Sequence, residues 1–559
     1  SLDILEGRVN PVVIATYNSG VIRISLTESN DNATIEKTDV TGSGATTVTY
    51  SVTNGSGNVP IIGYTGNPTV SRIVVSDGSS GGSATGQKIS FTSAMAETYG
   101  LSAGLSVTGI ESVAIESAVN SVATNGISIT GASTGITLGA GLTTTGGASI
   151  RLDGPVILSA DVTLDTDSTP DGDIEFTSTI NSDSTGGPFN LTVDAGSAMV
   201  TLAGNLGSTK SLDLISVTGG TISLNGNVTG DGDITFTGDT TLRHNTLVTS
   251  TGSGSEIKFA GNVLSDSAST PRSLTVGATA EAGAAIFTGA LGSSSLKLGS
   301  VIINRVGTTT LTGDINTSNA PVSFAGAVEL NANVTISTGT AKGSVTFRAD
   351  LDSASTTPRN LTINAGSAAV SLKDVGTTDE LGVTSITAGT INLEGDIKTT
   401  NGAITLAGAV IINSSLTISS TGGNITLNRS VNGSAINTRS LTLDSGNGGI
   451  TVNSVVGNLR RLLGFTISDA DDVTINNSVT ATTISITADG GTDFMTTIFV
   501  TGNATLAGST AITSTATVET YIDVSGRFNG SVSVTGSGPI SELRATSNSN
   551  FTVTGTDVT

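Results

Sequence analysis

Carboxylates set close together in turns are the first residues of this chain that could do chemistry. Asp165, Asp167, Asp171 and Asp173 fall in the segment LDTDSTPDGDIEF, and Asp231 and Asp233 in TGDGDITF. Ca²⁺ is a hard cation that takes many oxygen ligands, and turn carboxylates supply them. These six residues are therefore the candidate calcium ligands. Their spacing matches neither the EF-hand loop nor the glycine-rich repeat of calcium-binding solenoids, so a plain solvated turn is the competing reading. Asp469, Asp471 and Asp472, and the isolated Asp444, pose the same choice.

Other chemistry has little to work with. His244, in TTLRHNTLVTS, is the only histidine. A lone imidazole with no partner set makes a poor metal site or general base, so it reads as a surface or turn residue. With no cysteine, disulfides, thiolate metal sites and thiol catalysis are excluded. No dinucleotide, phosphate-loop, zinc-protease or nucleophile-elbow motif is present. Some parallel β-helices cleave polysaccharides with carboxylates and bases gathered on one sheet face. Here the carboxylates fall mostly in turns, and no acid and base pair of the kind glycoside hydrolysis needs stands out. The chain is expected not to be an enzyme: no catalytic residue is assigned, and no cofactor beyond calcium.

Two basic features remain. Arg272, Arg359 and Arg439 recur at one position of a long repeat, where the first copy has Phe189. If each repeat turned through whole coils, these arginines would share one side of the molecule and could pair with turn carboxylates such as Asp266 or Asp352, or serve as a docking stripe. The segment LRRLLGF, Leu459 to Phe465, reads as a break in the repeat. It is expected to form a protruding loop or small cap, and it is a candidate contact site.

The elements that must carry these residues follow from internal repetition. Four copies of a unit of about 84 residues align, starting GDIEFTS at Gly172, SEIKFAG at Ser255, GSVTFRA at Gly343 and GNITLNR at Gly423. The leucine of a shared Leu-Thr pair marks them: Leu191, Leu274, Leu361 and Leu441, spaced by 83, 87 and 80 residues. Inside each unit, short alternating runs such as Ile234-Thr235-Phe236, Val322-Ser323-Phe324 and Ile404-Thr405-Leu406 are bounded by Gly, Asn or Asp. Period two over short runs predicts short strands with one buried face, and Asn-Gly and Asp-Gly pairs predict tight turns. The spacing predicts about twenty residues per coil and about four coils per unit.

Composition narrows the class. Glycine supplies 72 residues, charged residues 12% and aromatics 3%. Glycine does not recur every third residue, which excludes collagen. Abundant, regularly placed Val, Ile and Thr argue against disorder, because branching at Cβ favours a packed pleated surface. The formal net charge of -22 repels nucleic acid and anionic lipid, whose binding requires basic groups. No run of apolar residues is long enough to span a membrane.

A short strand with one apolar stripe cannot bury that stripe alone. Stacking coils so that strands pair in parallel at ~4.8 Å solves the problem and suits small inward residues. The alternative is a string of β-sandwich domains. With thirteen Phe, five Tyr and no Trp, the chain is poorly supplied for several separate cores. The prediction is all-β: an elongated parallel β-helix, or β-solenoid, over residues 111–510, with a β-rich N-terminal cap or small domain over 1–110 and β coils or an open end over 511–559. From Ile127 to Val500 the coils would stack to about 90 Å. A short helix is expected over Ser93 to Leu101, since Ser93 can cap it. The strand Val9 to Thr16 could complement an open sheet edge.

The blocks SLTLDSGNGGITVNSVVG from Ser440 and NLTINAGSAAVSLKDVG from Asn360 resemble the repeats of large filamentous-haemagglutinin-like bacterial surface proteins. The resemblance covers Ile127 to Val500. It implies a right-handed parallel β-helix, a secreted or cell-surface location, and a role in attachment or cell contact. No functional residue carries over. Expected partners are a host, cell-surface or matrix component, or copies of the chain itself, as in a surface filament, sheath or layer.

Overall fold

The computed structural model describes residues 13–554 apart from the short segments 43–44, 56, 67, 80–84, 94–97, 123–124, 279–280, 489–494, 501–504, 515–518, 530–531, 537–539 and 548–550. The chain is all-β and folds as a parallel β-solenoid whose coils carry three strands each. It divides into two compact units, Ser1–Asp266 and Ser267–Thr559.

In the first unit, three parallel ladders run through successive coils. One stacks Leu105, Ile127, Ile150, Ile174, Val200 and Ile222, each 22 to 26 residues after the last. A second stacks Val113, Ile136, Val156, Ile180, Leu206 and Val228. The third stacks Val162, Leu191, Ile215, Ile234 and Ile257. Most strands are three or four residues long, and in most the first and third side chains are buried while the middle one is not, as in Ile150–Leu152 and Ile174–Phe176. The alternating sequence runs produce this pattern: in a strand, successive side chains point to opposite faces. Like residues then stack on like. Phe236 lies on Phe259 with ring centroids 5.1 Å apart and planes 20° from parallel.

The start of this unit departs from pure parallel stacking. Val13–Asn18 and Val21–Leu26 form an antiparallel hairpin, and so do Asn32–Gly42 and Ala45–Asn54. Each hairpin continues one ladder, through Val21–Leu26 on Arg72–Asp77 and through Asn32–Gly42 on Lys88–Ser93. Val13–Asn18 is paired on both sides, with Val21–Leu26 and with Ile61–Ile62. The second pairing covers only Ala15 and Thr16, while Val21–Leu26 pairs with all six residues of the strand; residues 9–12 lie outside the described residues. Four tyrosines gather here, in a chain of ring contacts from Tyr17 through Tyr64 and Tyr50 to Tyr99 and on to Phe91. The helix expected over Ser93 to Leu101 is not formed at its ends: Ser93 closes the strand Lys88–Ser93, and Tyr99–Leu101 is a strand pairing with Val119–Ser121. Buried Tyr99 donates its hydroxyl to the Ile35 carbonyl at 2.7 Å. Its inward packing outweighs the weak local preference for a capped turn.

The second unit has the same plan with coils of 19 to 27 residues, against the predicted twenty. Its first ladder stacks Leu274, Val301, Val322, Val345, Val370, Ile391, Val410 and Val431. The second stacks Ala285, Thr309, Val328, Leu351, Val375, Ile397 and Ile418, and reaches Leu441 through Leu416. The third stacks Val334, Leu361, Thr384, Ile404, Ile425 and Ile450. On the first of these ladders Phe324 and Phe347 stack at 5.0 Å.

These ladders correct the expected phase of the repeat. Leu274, Leu361 and Leu441 are equivalent in sequence but lie on the first, third and second ladders respectively. Between each pair the chain lays down eleven strand positions, counting the bridges at Leu291 and Val375 and counting the bent strands Thr384–Leu393 and Ile404–Ile412 twice. Eleven positions at three per coil make three and two-thirds coils, not four. Each repeat is therefore turned by a third of a coil from the one before.

Candidate functional site

Four of the six candidate calcium ligands, Asp171, Asp173, Asp231 and Asp233, act as hydrogen-bond acceptors that tie one coil to the next. Asp171 Oδ2 accepts the Ser197 amide at 2.7 Å and its hydroxyl at 2.6 Å, and Asp171 Oδ1 accepts the Ser168 amide at 3.0 Å. Asp173 accepts the Met199 amide at 2.9 Å and Asp165 the Asp167 amide at 2.9 Å. Asp231 accepts the Thr251 hydroxyl at 2.5 Å and Asp233 the Glu256 amide at 2.8 Å. The Ser197 hydroxyl and amide, with the Ser168 amide, hold the Asp171 carboxyl below the usual carboxylate range. Asp167 is pushed the other way, chiefly by the negative charge of Asp194, then by desolvation and by Asp171 and Asp165. Among the described residues, no three acidic, histidine or cysteine side chains converge as metal ligands do. The six aspartates share a segment or a turn but do not form one coordination sphere.

The same role recurs along the chain, and sequence reading missed it. Asn190 accepts the Leu214 amide at 3.0 Å, Asn227 that of Leu247 at 2.9 Å, and Asp239 that of Asn262 at 2.9 Å. In the second unit Asp314 accepts from Thr335, Asn360 from Val383, Asp374 from Asp396 and Asp396 from Thr417, all at 2.7–2.8 Å. An Asp or Asn just ahead of a strand thus caps a backbone N–H one coil later. Either residue serves, because only the side-chain oxygen is used. The signal in the sequence is the Asp or Asn that precedes so many apolar-Thr pairs, as in Asn190-Leu191-Thr192 and Asn360-Leu361-Thr362.

His244 is an exposed turn residue whose Nδ1 lies 2.7 Å from the carbonyl of its neighbour Asn245. The recurring arginines do not form a stripe. In the second unit Arg272, Arg359 and Arg439 precede strands of three different ladders, because the repeat is out of phase with the coil. Arg359 and Arg439 are half-buried, and the Nε of each makes no hydrogen bond. Asp352, one of the carboxylates named as a possible partner for these arginines, accepts the Thr378 amide at 3.1 Å, and burial pushes its carboxyl up.

The segment around Leu459 is corrected most. It does not break the repeat. Val456-Gly457 to Leu462 is the same turn as Leu206-Gly207 to Leu212 and Val375-Gly376 to Leu381, and Leu291-Gly292 to Leu298 is a version one residue longer. All four glycines have positive φ, between 66° and 78°. The amides of Gly207, Gly376 and Gly457 each donate to the coil before, at 2.7 Å. A Cβ on any of the four would overlap a carbonyl oxygen of the coil after. Only glycine gives both the conformation and the clearance. The residues between this glycine and the closing leucine are free to vary, and they do: Ser-Thr-Lys-Ser, Thr-Thr-Asp-Glu and Asn-Leu-Arg-Arg.

In the last of these turns the backbone is fixed and the side chains stand out. The Leu459 amide donates to Asn432 at 3.0 Å, Arg461 Nε donates to Asn437 Oδ1 at 2.7 Å, and Arg460 Nη1 donates to the Ser434 carbonyl. Leu462 and Phe465 point into the core, in the strand Leu462–Asp469. Leu459 is 78% exposed, Leu463 44%, and Ile436 on the adjoining turn 62%. Three aliphatic side chains and two guanidinium groups thus share one outward patch. Residues 397–468 hold five cationic side chains against the single acid Asp444, in a chain whose net charge is -22.

No helix among the described residues is long and apolar enough to cross a membrane. Comparison with known protein families, with curated proteins and with solved structures finds no match to this chain.

Proposed function

We propose that this chain is the structural and adhesive body of an extracellular surface protein, in which a fixed stack of coils presents variable turns to a cell-surface or matrix component. The observation that carries the reading is the repeated turn: its glycine, closing leucine and inter-coil bonds stay the same at Leu206, Val375 and Val456, while the four residues between them change charge and polarity. A scaffold that holds its frame and varies its displayed residues suits recognition better than catalysis. Loops set on rigid elements are the usual place for binding residues. A bacterial cell-surface location belongs to the same proposal and rests on the resemblance of the repeats at Asn360 and Ser440.

The test is attachment. Beads coated with the full chain should adhere to cells or matrix. Beads coated with a variant whose residues 208–211, 377–380 and 458–461 are replaced by Gly-Ser tetrapeptides should lose adhesion while keeping the same β circular dichroism. Equal adhesion by both chains, or none by either, would overturn the reading.

A further inference from the structure

The patch around Leu459 has a counterpart of opposite charge one repeat earlier. Aligned on their glycines, GTTDEL at Gly376 and GNLRRL at Gly457 place Asp379 where Arg460 stands and Glu380 where Arg461 stands. The two turns share a frame, since Gly376 and Gly457 have φ of 66° and 69° and both donate their amides to the preceding coil at 2.7 Å. We propose that the Leu459–Arg461 patch docks on the Asp379–Glu380 turn of a second copy of this chain, and that this contact joins copies head to tail.

Three observations carry the pairing. The first is charge complementarity. The patch lies in a stretch with five cationic side chains and one acid, while the chain as a whole is strongly acidic. Electrostatic complementarity of this kind steers encounter and fixes which surfaces meet. The second is the exposed apolar group. Leu459, Ile436 and Leu463 stand out of the same patch as the arginines, and aliphatic anchors next to arginine suit a protein surface better than a simple polyanion. Threonines at 377 and 378 in the acidic turn offer methyl groups to them. The third is direction. Val375, which opens the acidic turn, lies on the second ladder of its unit, and Val456, which opens the basic turn, lies on the first. Eleven strand positions separate them, so the turns face directions a third of a coil apart and are offset by ~18 Å along the stack. One partner cannot meet both turns by a two-fold axis. The contact is heterologous, and heterologous contacts that do not close propagate. Self-association through these turns does not depend on the adhesive reading, and either can fail without the other.

The full chain, R460E/R461E and D379R/E380R are compared by sedimentation velocity at low and high salt, with far-ultraviolet circular dichroism and thermal melting to check folding. The wild-type chain is expected to form concentration-dependent oligomers in low salt that dissociate in high salt. Each variant alone should remain monomeric over at least a tenfold range of concentration, because its two turns then carry the same charge. An equimolar mixture of the two variants should associate again, since one now offers acids at both turns and the other offers arginines. Restoration in the mixture also shows that both variants are folded. A wild-type chain that stays monomeric in low salt overturns the proposal. So does association that survives both variants, or a mixture that remains monomeric. A monomer that is retained on immobilised heparin through Arg460 and Arg461 would assign the patch to a polyanion instead.

Discussion

Arg305 and Glu281 form an ion pair away from solvent: the guanidinium Nη1 lies 2.9 Å from Oε2 of Glu281, with the Arg305 side chain wholly buried and that of Glu281 9% exposed. Arg305 Nε also donates to the Gly283 carbonyl at 3.1 Å. Arg305 is the largest fully buried side chain among the described residues. Removing one member of such a pair leaves a charge in a poorly solvated site and costs about 3–5 kcal/mol, whereas exchanging both for apolar residues of similar volume is often close to neutral. Glu281→Ala should therefore lower stability by about that amount in chemical denaturation. Arg305→Met combined with Glu281→Leu should recover most of it. A single variant as stable as the double would show that the pair carries no such penalty.

The glycine at the head of the variable turn gives a second prediction. Gly457 has a φ of 69°, and a Cβ there would overlap the Thr480 carbonyl. Gly457→Ala pays for the left-handed conformation, about 1–2 kcal/mol, and then for the displacement of the next coil. Leu459→Ser in the same turn changes no buried contact and should leave the melting temperature where it is. Thermal melts of the two variants check the contrast, and equal stability would mean that the coils can move apart at this corner at little cost.

Much of this fold was legible in the sequence, for a physical reason. Runs such as Ile404-Thr405-Leu406 alternate with period two, and a strand turns the first and third residues inward and the second away from them, as this one does, with Ile404 and Leu406 buried and Thr405 half-buried. The number of coils per repeat was not legible. It depends on how many strand positions lie between Leu274 and Leu361, and Leu291 contributes one through a bridge with no alternating run around it. That missing third of a coil is why Arg272, Arg359 and Arg439 were expected on one side and lie on three. The Leu459 segment misled because Arg460 and Arg461 differ so much from Asp379 and Glu380, while the quiet glycine and leucine at either end carry the equivalence. The capping role of the acidic turns was not legible either, because a carboxylate that accepts an amide one coil later looks, in one dimension, the same as any other turn carboxylate.

The inter-coil caps can be tested one at a time. Asn360 Oδ1 accepts the Val383 amide at 2.8 Å, and the Asn360 amide itself donates to Asn333 at 2.9 Å. Asn360→Ala should cost about 1 kcal/mol, the net worth of one such bond. Asn360→Asp keeps the acceptor and should be close to neutral, as Asp374 and Asp396 already serve in the same way. Denaturant midpoints distinguish the two, and an aspartate variant as unstable as the alanine one would show that the amide NH₂ rather than the oxygen matters.

Asp167 and Asp171, four residues apart, should respond to pH with opposite signs. Asp171 has a folded pKa below its unfolded value because Ser197 and Ser168 donate to it. Its contribution to stability is present above the unfolded value, near 3.9, and is lost as pH falls through the folded one. Asp167 has a folded pKa above its unfolded value, first because of Asp194. It favours the folded state only while protonated, and that benefit is lost as pH rises through the folded value. At neutral pH, Asp171→Ala should therefore destabilise the chain, whereas Asp167→Asn should be neutral or slightly stabilising, since it removes a repelled charge. Asp167 is exposed and Asp171 half-buried, so salt should shrink the Asp167 effect more than the Asp171 effect: repulsion between exposed charges is screened, and short hydrogen bonds are not. Melting curves at pH 3 and pH 7, in low and high salt, read all of these signs. If added calcium raised the melting temperature of the wild-type chain but not of Asp167→Asn, the two carboxylates would be acting as ligands and the capping account would fail for this turn.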